Sequence, residues 1–199
     1  MVRNLIVSLL LPLAMSAQQS QAPAASATQA MYNAQVNSTQ KKFDYIRANG
    51  AKPSPDQTPT VIHEREINAW LTSGDVQFPD GVKRLQLQGQ PGIIHATATV
   101  DFDQVTGGRY SGNPLMSLFR GTHEVKATAH AQASGHQGQV HIDSVEVDGV
   151  SVPRMALQYF ADKYITPKHP NLGIDSTFAL PYKIDTAVVG SGEVSVTQK

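Results

Sequence analysis

Two segments of this chain, residues 96–102 and 124–132, alternate strictly between apolar and polar side chains. In the first segment the apolar positions are the even ones, and in the second they are the odd ones. Because successive side chains of a strand point to opposite faces of a sheet, the alternation predicts two half-buried strands. Gly89, Pro91 and Gly92 mark a hairpin turn before the first strand. Short glycine-bearing turns typically join antiparallel neighbours, so we expect an antiparallel sheet.

The apolar set changes parity once along the next strand. Val140 and Ile142 lie on one parity, whereas Val145 and Val147 lie on the other. A one-residue slip would turn every later side chain to the wrong face unless an extra residue is inserted. The sequence therefore predicts a bulge or sharp bend near Ser144. We expect one or two further strands, over residues 178–184 and 188–196.

Three helices are predicted around these strands. One spans residues 28–49 and ends at Gly50, and a second spans residues 63–71 with an apolar stripe of 3.6-residue period. A third begins with Pro153 as its first helical residue and runs to about residue 165. The predicted fold class is α+β, with a bent antiparallel sheet wrapped around one or two helices in a single domain.

The first residues have the pattern of a cleavable export signal. Arg3 precedes an apolar run over residues 5–15, and Ala14, Ser16 and Ala17 supply an A-x-A-like frame. We therefore expect a signal peptide over residues 1–22 and one α+β domain over residues 23–199, with a Pro-rich loop at 51–59. The expected location is periplasmic or secreted.

Composition excludes several classes of protein. The chain has no cysteine, so it has no disulfide, thiolate metal site or cysteine nucleophile. Lys plus Arg and Asp plus Glu are 16 each, a balance that gives no basic footprint for nucleic acid. No apolar stretch reaches the roughly 20 residues of a transmembrane helix. The sequence does not identify a protein partner.

Histidines on the polar face of the strands are the one candidate metal cluster. His95, His130 and His141 lie opposite the apolar positions, with Asp101 and Asp143 nearby in the pattern, and neighbouring strands would bring them together as zinc ligands. A solvated sheet face also carries polar residues without any metal, and we favour that interpretation. We predict no metal site and no cofactor. No Gly-x-Ser-x-Gly elbow or phosphate-binding glycine loop occurs, so no catalytic residue is predicted.

Small residues occupy the predicted inner face, where a packed sheet usually carries Val, Ile or Leu. They either admit a helix that presses closely on the sheet or leave space for an apolar ligand. On the second interpretation, alanines and larger apolar residues would line the site. The candidate lining residues are Trp70, Ala96, Ala98, Phe102, Ala127, Ala129, Ala131, Met155, Tyr159 and Phe160.

Five short motifs over residues 60–155 carry a family resemblance. They are Glu64-x-Glu66-Ile67-Asn68-Ala69-Trp70-Leu71, Pro79-x-Gly81-Val82, Val100-Asp101-Phe102-Asp103, Leu118-Phe119-x-Gly121 and Val147-x-Gly149-Val150-x-Val152-Pro153. With them the chain resembles bacterial envelope proteins of the tubular lipid-binding (TULIP-like) type. The resemblance implies a long curved sheet around a helix and the binding of phospholipids or related lipids.

The leading functional expectation is non-catalytic binding of a lipid or another apolar ligand in the cell envelope. A structural or protein-interaction module of the envelope is the alternative. A hydrolase whose site has no recognisable motif is the third hypothesis.

Overall fold

The computed structural model describes residues 22–109 and 119–199, and the alternating segments form antiparallel strands there. The predicted signal peptide lies outside the described residues, apart from its last position. The helices are α1 (Ala22–Gly50), α2 (Glu64–Leu71), α3 (Phe102–Thr106) and α4 (Arg154–Phe160), which continues into a π-helical turn (Ala161–Ile165). The strands are β1 (Thr60–His63), β2 (Val82–Gln90), β3 (Ile93–Asp101), β4 (Thr122–Ser134), β5 (Gln137–Val147), β6 (Val150–Ser151), β7 (Asp175–Ala179), β8 (Ile184–Gly190) and β9 (Glu193–Gln198).

Six strands form the larger sheet, in the order β2-β3-β4-β5, with β6 and β7 paired to two different parts of the outer edge of β5. The predicted bulge is confirmed. Ser144 pairs with Thr128 and Ile142 pairs with Ala129, so Asp143 is the inserted residue. The insertion keeps Ile142 and Val145 on the same face despite their opposite parity.

A smaller sheet, β1-β9-β8, extends the larger one. Gly92 N donates to Val189 O at 3.0 Å, and Gly192 N donates to Gly89 O at 3.0 Å. These bonds join the β8–β9 hairpin to the β2–β3 hairpin. The inner faces of the two sheets therefore meet at the β2–β3 turn.

Helices α1 and α2 cover the inner face of the smaller sheet. Ile46 of α1 packs on Ile62 and Val196, and all three are buried. Phe43 meets Trp70 edge to face, with ring centroids 4.9 Å apart. Helix α1 is otherwise polar, so only the part that lies over the sheet is held by apolar burial.

Buried polar side chains fix this helix layer. Glu66 accepts hydrogen bonds from Lys42 Nζ and Ser38 Oγ, both at 2.6 Å, and from the backbone nitrogen of His63 at 2.8 Å. Asn49 donates to Gln198 Oε1 at 2.9 Å, and Gln198 donates to Ile46 O at 2.7 Å. The bonds from Lys42, Ser38, Asn49 and Gln198 join α1 to distant parts of the chain.

At the opposite end of the larger sheet, α4 and its π-helical turn lie on the inner face. Phe160 and Ala156 of α4 pack with Val147 and Val145 of β5 in a second core. The two cores are separate clusters, one at each end of the molecule.

The outer edge of β2 is covered by side chains of α2. Asn68 Nδ2 donates to Leu87 O and Asn68 Oδ1 accepts from Leu87 N, both at 2.8 Å. Glu64 Oε2 accepts from Gly89 N at 3.1 Å. The side chains thus replace a neighbouring strand at these positions.

The predicted fold class is confirmed: antiparallel sheets with a few helices form one α+β domain. Helix α2 has the predicted position, and α1 begins earlier than predicted. Pro153 is the N-cap of α4 rather than its first helical residue. No helix in the described ranges is both long and apolar enough to cross a membrane.

Three predicted strands have the wrong bounds. The strand predicted over residues 188–196 is divided between β8 and β9 by a turn at Gly192, which adopts a positive φ of 71°. The strand predicted through Phe102 ends at Asp101, whose side chain accepts a hydrogen bond from Gln104 N and starts α3. The strand predicted over residues 178–184 is divided between β7 and β8, because Pro181 cannot donate to a ladder and Tyr182 and Lys183 adopt positive φ angles of 55° and 54°.

Candidate functional site

Four strands contribute one continuous apolar face on the inner side of the larger sheet. Paired residues on β2, β3, β4 and β5 form rows across this face. One row is Leu87, Ala96, Ala127 and Val145, and the next is Ile94, Ala129 and Ile142. The register therefore brings the predicted alanines together on a single face.

An apolar groove of about 450 Å³ lies between this face and α4. Ala127, Ile142 and Val145 of the sheet form its floor, and Leu157 and Phe160 of α4 form its roof. The lining surface is almost entirely apolar. Ligand pockets for small molecules typically occupy about 300–1,000 Å³ and are lined mainly by hydrophobic side chains. The groove has the size and surface of a site for an apolar ligand.

Stacked aromatic rings make one wall of this groove rigid. Phe119 stacks on Phe160 with centroids 4.4 Å apart, and Phe102 meets Phe119 edge to face at 5.2 Å. Phe160 also contacts Tyr164, at 5.1 Å. Aromatic pairs in these geometries add attraction beyond their buried area. The wall is therefore held by its own contacts and does not need a ligand to form.

The π-helical turn that follows α4 faces the groove. Thr166 N donates to Ala161 O at 2.9 Å, a bond that spans five residues, and Ala161 and Ile165 both line the groove. Wider turns of this kind occur often at functional sites. Here the turn places two apolar side chains over the sheet.

A second, smaller cavity of about 180 Å³ lies where the two sheets meet. Ile94 and Leu87 of the larger sheet line it, together with Ile67 of α2 and Val189 and Val194 of the smaller sheet.

One alanine separates the two cavities in each cross-strand row. Ala96 lies between Leu87 and Ala127, and Ala129 lies between Ile94 and Ile142. Both alanines are only partly buried. The small side chains of these two alanines therefore form the part of the sheet surface that lies between the two apolar cavities.

The ten predicted lining residues fall into three groups. Phe102, Ala127 and Phe160 line the larger cavity. The other alanines lie on the same sheet face beside it. Trp70 belongs to the core around α1 and packs on Phe43, while Met155 and Tyr159 face solvent, with 76% and 39% of their surface exposed. These last three lie away from the groove.

Several lining residues were not predicted. Leu172 and Ile174 come from the segment before β7, which has no helical or strand periodicity to identify it, and Phe178 lies in β7 at the start of the strand predicted over residues 178–184. Ile142 and Val145 were predicted as apolar strand positions, and only the bulge shows that they share a face. Leu172 and Phe178 remain 47% and 37% exposed at the rim of the groove.

The polar outer face carries paired histidines. His130 Nδ1 donates to Asp143 Oδ2 at 2.7 Å, His141 Nδ1 donates to Asp175, and His95 is bonded to Thr128 at 3.1 Å. Within the described ranges no group of three or more His, Asp or Glu side chains is arranged to hold a metal ion.

His123 is held at the end of the groove wall. Its Nδ1 donates to Asp148 Oδ2 at 2.6 Å and its Nε2 donates to Arg120 O. The hydrogen bond to Asp148 raises the pKa of His123, and the bond to Arg120 adds to the effect while burial opposes it. Two acceptors on one ring favour the imidazolium form. The ring also contacts Phe102, at 6.1 Å.

Comparison with known proteins supplies no relative. No family model, curated protein or solved structure matches the chain.

Proposed function

We propose that this protein is exported to the cell envelope and binds a lipid or another apolar ligand there without catalysing a reaction. The observation that carries the proposal is the apolar groove of about 450 Å³ between α4 and the inner sheet face. Protein interiors are normally packed with few voids larger than a water molecule. An open apolar groove of this size is therefore a site that a ligand would fill.

The expected affinity follows from apolar burial. About ten methylenes buried at roughly 0.8 kcal/mol each contribute about 8 kcal/mol before ordering costs. This corresponds at most to micromolar binding. The groove requires no catalytic residue for such an interaction.

Two further features support the proposal. The sheet carries helices on its inner face, as the TULIP-like resemblance implies, and the two apolar cavities lie on that face. Export rests on Arg3 and the apolar run that follows it. Intact-mass measurement of the protein from the extracellular or periplasmic fraction tests export. A protein that retains Met1 and stays in the cytoplasm would contradict it.

Ligand binding is tested by organic extraction of the purified protein, mass spectrometry of the extract, and titration with a fluorescent fatty-acid probe. Ala127→Trp is the test variant because Ala127 lines the groove. Lys126→Trp is the matched control, since the adjacent residue lies on the opposite, exposed face of β4. We expect Ala127→Trp to fold with near-native stability and to lose the probe, and Lys126→Trp to keep both.

The opposite result separates the two interpretations of the alanines. If the groove closes over the sheet in solution, the indole has no space and Ala127→Trp loses about 1–3 kcal/mol of stability by overpacking. That loss, with no lipid in the parent extract and no probe binding, would refute the proposed function.

The exposed side of α4 favours a second function, a protein-interaction module. Met155 and Tyr159 are four residues apart on the helix and both are exposed, so they form a small apolar patch. A photo-crosslinker at Met155 would give one discrete adduct in intact envelopes if this patch binds a partner, whereas the same group at Lys126 would not. Equal labelling at both sites argues against it.

A further inference from the structure

His123 lies on the inner face of the larger sheet, next to the apolar groove. It is two residues before Val125 in β4, so both side chains point to the same face, and Val125 lines the groove. Across the sheet His123 pairs with Val100, another lining residue. Its ring lies 6.1 Å from that of Phe102. A change in the state of His123 therefore acts directly beside the groove.

Both hydrogen-bond partners of the His123 ring are acceptors. Nδ1 is bonded to Asp148 Oδ2 at 2.6 Å, and Nε2 is bonded to Arg120 O. A neutral imidazole carries one N–H and can satisfy only one acceptor, whereas the imidazolium carries two and satisfies both. The observed pair of bonds is therefore complete only when His123 is protonated.

The surroundings of the ring favour this protonated form. The hydrogen bond to Asp148 raises the pKa of His123 above its usual value of 6.5, burial opposes it, and the Arg120 carbonyl and the charge of Asp103 add to the rise. A histidine pKa that folding raises stabilises the fold below 6.5, and this contribution is lost as the pH rises through the raised pKa. The charged groups on the segments packed around the ring are Asp148 in the β5–β6 turn, Asp103 in α3, Lys83 and Asp101, which pair with each other, and Arg120 and Glu124 beside it in the chain.

Loss of the proton breaks one particular bond. The remaining N–H stays with the carboxylate of Asp148, because a hydrogen bond to a charged acceptor is stronger than one to a neutral acceptor. Nε2 then presents a lone pair to the carbonyl oxygen of Arg120, and two acceptors at contact distance repel each other. The backbone at Arg120 must then move away from the ring.

Arg120 directly follows Phe119, whose ring is part of the groove wall. Phe119 is 3% exposed and stacks on Phe160 with ring centroids 4.4 Å apart. On the other side of Arg120, Gly121 O accepts a hydrogen bond from Phe102 N at 2.8 Å. The bond from His123 thus fixes the middle of a segment whose two ends contact the aromatic wall, and a displacement at Arg120 reaches that wall.

We infer that His123 is a pH sensor for the groove: its imidazolium holds the aromatic wall in place, and its deprotonation loosens the wall and lowers the affinity for an apolar ligand. The inference rests on the proposed function and adds the regulation of the same site. The protein holds its ligand in acidic surroundings and releases it as the pH rises.

Titration with N-phenyl-1-naphthylamine, an apolar fluorescent probe that stays uncharged, tests the sensor between about pH 5.5 and pH 9. We expect the affinity of the parent protein to fall at least about fivefold across this range, since the loss of a hydrogen bond to a charged group has an effect on this scale. His123→Gln should bind the probe with an affinity that does not change with pH. The control His130→Gln removes a histidine that is paired with Asp143 on the outer face, and it should behave as the parent does.

A second variant distinguishes titration from a merely structural role. Asp148→Asn keeps an acceptor beside the ring but removes the charge, so it should move the midpoint of the affinity profile to lower pH. NMR provides a readout that needs no ligand. The ring signals of His123 and Phe119 should titrate with the same midpoint, and this midpoint should also move in Asp148→Asn.

The remaining outcomes separate the sensor from the proposed function. An affinity of the parent that is constant with pH, or a midpoint that does not move in Asp148→Asn, overturns the sensor and leaves the apolar site standing. Phe119 signals that stay fixed while His123 titrates overturn the coupling to the wall. If the probe binds at no pH, the proposed function is refuted, and the NMR titration still decides whether the proton on His123 moves Phe119.

Discussion

The two ends of the inner face are built differently, although both place helices on a sheet. At the end formed by α1, α2 and the smaller sheet, which we call the closed end, apolar side chains meet and buried polar groups pair with one another. At the end formed by α4 and β4–β7, the open end, the aromatic core leaves the groove beside it. The closed end therefore stabilises the fold, and the open end has unfilled apolar surface that a ligand could contact.

The largest expected difference concerns two isoleucines. Ile46→Ala at the closed end should cost about 2–5 kcal/mol, because it opens a new cavity in packed surroundings. Ile142→Ala at the open end should cost about 1 kcal/mol, since Ile142 already borders empty space. Urea denaturation of both variants measures the two losses. Equal losses would mean that the groove is packed in solution.

The next effect tests the polar network of the closed end. Asn49 is 1% exposed and also accepts from Asp56 N at 2.9 Å. Asn49→Leu would leave Gln198 Oε1 and this backbone nitrogen unpaired, at a cost of about 3 kcal/mol. The control Asn33→Leu, at an exposed position of α1, should change the free energy of unfolding by less than about 0.5 kcal/mol. A small loss for Asn49→Leu would contradict the assigned role of the network.

A third prediction uses the pH dependence of the same end. Burial alone would raise the pKa of Glu66, but the hydrogen bonds from Lys42, Ser38 and the His63 backbone outweigh it and lower the pKa from 4.5 to about 2. A depressed carboxyl pKa stabilises the fold above the unfolded pKa, and this contribution is lost as the pH falls from about 5 to about 2. We expect Glu66→Gln to cost about 2 kcal/mol at pH 7 and almost nothing at pH 2.

Chemical denaturation across this pH range measures the effect. Asp44→Asn is the control, because its ion pair with Arg47 is exposed on both sides and should contribute little. If the free energies of unfolding of the parent and Glu66→Gln differ by the same amount from pH 7 to pH 2, the ionised Glu66 carboxylate is not the source of the lost stability.

The smallest expected effect is that of a chelator on the melting temperature, through the histidines on the outer face of the larger sheet. The histidines there are paired with carboxylates and a hydroxyl, so chelator should leave the melting temperature unchanged. A melting temperature that falls by several degrees in chelator and returns with zinc would reveal a metal bound to the native state. His95, His130 and His141 would then be the first residues to substitute.

Strand faces were predictable because period-two alternation depends only on local side-chain direction. The same rule identified the bulge, since Ile142 and Val145 could share a face only with one residue inserted. The end of β3 was not predicted, because Phe102 continues the alternation while the Asp101 side chain starts a helix. This local hydrogen bond outweighed the pattern.

The candidate site was predictable only in part, for the same reason. The alanines follow from alternation, but Phe178 and Leu172 reach the groove through pairing of β7 with β5, a contact between distant segments that leaves no periodic trace. Trp70 was predicted to line the site because it is a large apolar residue. Its helix lies at the closed end, where the Trp70 ring packs on Phe43 instead.

The pairing of Asn68 with Leu87 affects how copies of this protein behave towards one another. An exposed sheet edge offers unpaired backbone groups on which another chain can add a strand, and long uncovered edges promote aggregation. Along β2, the amide of Asn68 and the carboxylate of Glu64 already occupy these groups at Leu87 and Gly89. Helix α2 thereby keeps this edge from serving as a template, and Asn68→Ala is the substitution that would expose it to self-association.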